Sequence, residues 1–167
     1  MQLTDDLVWR WHDNVVYGIR FDIGDFTKGE WRSDLVFDID YIAEWVCGAA
    51  GEHRFRVAPA TLAFHDAGDL EITVSHGNSD GRNALSLWSI DCVTRERIGR
   101  PFQMWRWTVR LNAPPGGVVS FSASGYSQTL RAEPKLWPNK VSGTAICKPP
   151  REGLADARIS VSRTPRL

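Results

Sequence analysis

Strict alternation of apolar and polar residues is the feature that most narrows what this chain can fold into. Along Leu35, Phe37, Ile39 and Tyr41 every second side chain is large and apolar, and Val36, Asp38, Asp40 and Ile42 fall between them. A period of two is the signature of a strand with one face buried. The pattern predicts a strand from Ser33 to about Val46. A helix over Asp40–Ala50 competes, because Ile39, Ile42, Ala43 and Val46 also fit helical spacing. The same alternation recurs in Phe102–Leu111, where Trp105, Trp107, Val109 and Leu111 oppose Met104, Arg106, Thr108 and Arg110.

Further strands are expected over Leu7–Ile23 (a pair or one bent strand, broken at Asp13-Asn14), His53–Val57, Thr61–His65, Asp69–His76, Ala84–Val93, Val118–Ser124 and Tyr126–Ala132. Pro59 separates two of them and suggests an edge or a bulge. Gly77–Gly81 and Ala113–Gly117 read as turns, and Thr94–Arg100 as a charged one. Eight Trp and seven Phe suit half-buried pleated surfaces. These elements predict an all-β domain with at most one short helix, an antiparallel β-sandwich or β-barrel of about eight or nine strands. The domain is expected to span residues 1–134. Residues 135–167 read as a peripheral segment and a mobile basic tail.

Several classes of function find no support. There is no Gly-x-Ser-x-Gly elbow, phosphate loop or dinucleotide fingerprint, so no cofactor is expected. Ser120, Ser122, Ser124 and Ser127 form a Ser-rich run, but most of it alternates with Val119, Phe121 and Ala123, as the polar side of a strand does. Cys47, Cys92 and Cys147 are too few and too scattered for a disulfide framework or a zinc site, and read as free thiols. Leu111–Leu130 is uncharged but too rich in Gly, Pro and Ser for a membrane helix. The acidic N-terminus lacks the pattern of a secretory leader, so a cytoplasmic location is expected.

Net charge is zero, but residues 1–80 carry 15 acidic and 6 basic side chains, and residues 81–167 carry 5 and 14. Such asymmetry marks a binding face or, more plainly, halves that interleave in one sheet. Without a basic excess, nucleic acid is not the expected partner, and a protein partner or a second copy is the alternative.

The foremost candidates for chemistry are Asp38 and Asp40, which share a strand face. Paired carboxylates hold cations or divide acid and base roles, and His12 is a possible neighbour. The plainer reading is a solvated face, or pairing with Arg106, Arg110 or Arg131. Glu44 and Trp45 follow, and Arg131 and Glu133 share a face further on; these four are binding candidates. His12-Asp13 and His65-Asp66 put imidazole beside carboxylate, but adjacent strand residues point to opposite faces. Trp105-Arg106-Trp107 separates its aromatic and basic residues in the same way, against a nucleic-acid platform.

Phe37-Asp38-Ile39-Asp40-Tyr41-Ile42-x-Glu44-Trp45, then Val57-Ala58-Pro59-Ala60-Thr61-Leu62-x-Phe64, with Trp11-His12-Asp13 upstream, resembles a family of small uncharacterised bacterial proteins. The likeness covers most of Trp9–Pro138. It implies a bacterial protein, carries no established activity and transfers no functional residue; the lack of a catalytic signature and the charge asymmetry lead instead to a binding or interaction module. Looser features resemble small β-rich immunity proteins of toxin systems. The alternatives are an enzyme or metal-binding protein centred on Asp38 and Asp40, and a barrel that carries a small apolar ligand among its tryptophans.

Overall fold

The computed structural model describes residues 5–47, 53–75, 88–99 and 103–137. After one helical turn, α1 (Asp5–Val8), the chain forms β1 (Val15–Asp22), β2 (Asp34–Cys47), β3 (His53–His65), β4 (Gly68–Thr73), β5 (Trp88–Ile98), β6 (Met104–Ala113), β7 (Val118–Ala123), β8 (Gly125–Leu130) and β9 (Lys135–Leu136). All nine belong to one antiparallel sheet in the order β4-β7-β6-β5-β1-β2-β3-β8, with β9 paired to β3. The all-β architecture expected from alternation is the one observed.

The two ends of that path are joined by the chain itself. β4 continues β3, and β8 continues β7. The β3–β8 ladder runs from Ala60↔Leu130 to His65↔Gly125, and the β4–β7 ladder takes it up at Gly68↔Ser122 and carries it to Thr73↔Val118. One long ladder therefore turns a corner between two four-stranded halves, β1-β2-β3-β8 and β4-β7-β6-β5. Strands that switch halves through bends are how such corners are made. The β3–β4 bend has Asp66 at φ 52° and Asp69 at φ 49°. Aspartate is one of the few residues that enter this left-handed region readily. Ser122 on β7 donates to Asp69 at 3.1 Å and ties the bend down.

The inward faces meet in an aromatic core. Phe64 of β3 lies 4.7 Å from Phe121, 4.9 Å from Trp107 and 5.7 Å from Phe37, ring centre to ring centre. Leu35, Ile39, Leu62, Val93, Val109 and Val119 complete it. Edge-to-face pairs like these each contribute about 0.5–1.5 kcal/mol beyond the burial of their area.

Several local expectations are corrected. Leu7–Asn14 is not a strand: α1 and its following turns place Leu7 and Trp11, four apart, on one buried side, and leave Trp9 exposed. The helical spacing Leu7–Trp11 competes with the Trp9–Trp11 alternation and wins. Pro59 does not divide β3. Its carbonyl accepts from Arg131 N at 2.8 Å, on the side where β8 has ended and β9 not yet begun. In an antiparallel strand the N and the carbonyl of one residue point the same way, so the missing N–H faces that gap. Thr94–Ile98 is strand, not turn, because Arg95 spreads its guanidinium over the Trp105 ring at 4.3 Å and fills an inward position. β8 stops at Leu130, so Arg131 and Glu133 lie beyond it. Lys135–Leu136 adds a short strand where none was expected. The expected tail, the Gly77–Gly81 turn, residues 84–87 of the strand before Val93, the 48–52 loop and Cys147 lie outside the described residues.

Candidate functional site

Asp38 and Asp40 do share one face, on the outside of the roll. Both are balanced there. Arg131 donates to Asp38 at 3.2 Å, and Arg20 stands 3.8 Å from its other oxygen. Asp40 accepts from the Tyr17 hydroxyl at 2.7 Å, and this bond, aided by partial desolvation and the carboxylate charge, raises the pKa of Tyr17. Arg131–Asp38 thus joins the basic half of the sequence to the acidic half.

The other candidates do not converge on this pair. A bulge between Ile42 and Glu44 shifts the register, so Glu44 sits opposite Arg56 and Trp45 opposite Phe55. Directly opposed residues share a face, so Glu44 is turned away from Asp38 and Asp40. Glu44 pairs with Arg56 at 3.0 Å, and Trp45 meets Phe55 edge-on at 4.6 Å. The buried Asn14 steadies the bulge by accepting from Ile42 N at 3.1 Å. Glu133 is exposed beyond β8. His12 lies in the turn before β1, where its Nδ1 donates to the Asp91 carbonyl at 2.6 Å and its Nε2 stands 3.4 Å from Asp13. Among the described residues no three His, Cys, Asp or Glu side chains are grouped to hold a metal ion.

A more singular cluster lies on the inward side, where alternation suggested only core. Trp11, Tyr126 and Trp107 form a run of rings, with centres 5.1 Å and 5.6 Å apart. Two half-buried guanidiniums are laid on it. Arg10 donates to the Tyr126 hydroxyl at 3.2 Å and sits 6.0 Å from the Trp11 ring. Arg95 covers Trp105 and stands 5.3 Å from Trp107. Neither has a carboxylate partner among the described residues, and the Nε of each is buried without an acceptor. Arg10 and Arg95 were both invisible as a pair in the sequence, since one precedes β1 and the other lies in what resembled a turn.

A third arrangement is on the outer face by the corner. His65, on β3, is directly opposite Asp34 on β2, since Leu35 pairs with Phe64. Its Nδ1 meets Asp34 Oδ2 at 3.2 Å, and its Nε2 meets Ser127 Oγ, on β8, at 2.9 Å. The sequence paired His65 with Asp66; the structure gives Asp66 to Ser124 instead. Comparison of the chain with family models, with curated proteins and with solved structures finds no match in any of the three.

Proposed function

We propose that this chain is a binding module that holds an anionic group, a carboxylate or a phosphate, at the half-buried guanidiniums of Arg10 and Arg95. The observation that carries this reading is the pair of buried Nε–H groups with no acceptor. An unmet buried donor costs roughly 1–3 kcal/mol, and more when it is charged. An anion oxygen would supply what the fold leaves out, and guanidiniums favour oxyanions in forked geometry. The partly exposed rings of Trp105 and Tyr126 add apolar surface beside the guanidiniums, so an anion attached to an apolar body fits best. A cytoplasmic bacterial binding or interaction module, the leading expectation from the sequence, is the setting that agrees with this reading.

Titration of the full chain with acetate, benzoate and inorganic phosphate, followed by Trp fluorescence and calorimetry, tests it. Benzoate or phosphate is expected to change the emission saturably. Arg95→Met and Arg10→Met keep the stems and should each weaken binding at least tenfold. Absence of any saturable response in the unmodified chain, or the same affinity in both variants, sinks the proposal.

A further inference from the structure

We propose that Ser127 is an activated nucleophile, with His65 as its base and Asp34 as the group that orients the base, reactive toward esters and other activated acyl compounds. This rests on the outer face, opposite to Tyr126, and is independent of the anion reading.

Three adjacent strands supply the three groups. The carboxylate of Asp34 is mostly buried, with its side chain 13% exposed, while the His65 ring is 40% exposed and Ser127 is open to solvent. Burial thus falls off from acid to base to hydroxyl. The contact with Asp34 holds the proton on Nδ1, which leaves the Nε2 lone pair to accept from the Ser127 hydroxyl. That is the order of contacts by which an imidazole removes a serine proton. A plain surface hydrogen-bond ladder has no need of room above the hydroxyl. Here the room exists: Gly125, two residues before Ser127 and directly opposite His65, shares their face, and a Cβ built on it would meet nothing within 4 Å. Ala63, opposite Ser127, is also small.

In the reaction, Ser127 Oγ bonds to the acyl carbon while its proton passes to His65 Nε2. The bond from that carbon to the leaving oxygen then breaks, and Nε2 returns the proton to the departing alkoxide or phenoxide. Water, deprotonated by the same nitrogen, cleaves the acyl-serine to a carboxylic acid and regenerates the hydroxyl. No oxidant, metal or cofactor enters.

The test uses the full chain with p-nitrophenyl acetate and, separately, with a fluorophosphonate. Peptide mass spectrometry locates the adduct. The expected result is modification at Ser127, faster than at the exposed Ser75. His65→Gln should slow it about 100-fold, the scale of general-base assistance, and Asp34→Asn should slow it by a smaller factor. Far-UV circular dichroism and Trp emission establish that each variant is folded. Should a variant fail to fold, the comparison of Ser127 with the exposed Ser75 within the unmodified chain decides the matter alone. Modification of Ser127 no faster than that of Ser75, or a folded His65→Gln chain that reacts at the unmodified rate, overturns the proposal.

Discussion

The indole N–H of Trp11 donates to Oε1 of Gln128 at 2.7 Å, and so fastens the segment before β1 to the inside of β8. Trp11 is fully buried, so water offers that N–H no substitute. Gln128→Leu is expected to cost about 1–3 kcal/mol in urea unfolding. Trp11→Phe removes the donor but opens space in the core. Because both changes delete the same bond, the double variant should lose less than the sum of the two single losses. Simple additivity would mean that the bond contributes nothing.

Tyr17 bears on stability at high pH. Its folded pKa is raised, first by the hydrogen bond to Asp40, so the folded chain keeps a proton that the unfolded chain releases near the ordinary value of 10.0. The folded state then binds more protons than the unfolded state above that value, and stability falls as pH climbs through the folded pKa. Below 10.0 the contribution is whole. Unfolding midpoints taken from pH 8 to 11 should fall less steeply in Tyr17→Phe than in the unmodified chain. Parallel curves would refute this.

Cys92 should be a sluggish thiol. It is buried on β5, and burial, followed by the charge of Asp91, pushes its pKa up. The thiolate is the reactive form. Alkylation by iodoacetamide at neutral pH, followed on the Cys92 peptide, is expected to run at least tenfold slower in the folded chain than in urea. Equal rates would show the site to be open.

Two glycines in the β1–β2 connection should respond unequally to alanine. Gly24 has φ +73°, and a Cβ there would lie 2.6 Å from the Glu30 carbonyl oxygen. Gly29 has φ +72°, with nothing within 4 Å. Gly29→Ala should therefore cost only the left-handed penalty, about 1–2 kcal/mol. Gly24→Ala adds a clash with backbone that cannot rotate away, and its melting temperature should drop further. The reverse order would contradict the geometry.

Alternation read most strands correctly because each has one face in the core, as Leu35, Phe37 and Ile39 do. It failed where a polar side chain took an inward place. Arg95 looked like part of a turn, yet its guanidinium lies over the Trp105 and Trp107 indoles. It failed again at the Ile42/Glu44 bulge, which reverses faces without leaving a mark in the hydrophobic pattern. The Asp38 and Asp40 face was legible, being set by the spacing of two residues on one strand. Asp34, His65 and Ser127 were not. They come from three strands, and their meeting depends on registers that no local pattern encodes. Arg10 and Arg95 escaped notice for the same reason.

The ladder that turns the corner also has a consequence in time. Its first rung joins Ala60 to Leu130 and its last joins Thr73 to Val118. Every rung spans a long stretch of chain, and such contacts pay their loop entropy before they return any stability. The β2–β3 hairpin can pair early, but its far edge must wait, exposed, until β7 and β8 have been synthesised. That interval is when the chain is most open to pairing with a neighbour, and completing the corner brings it to an end.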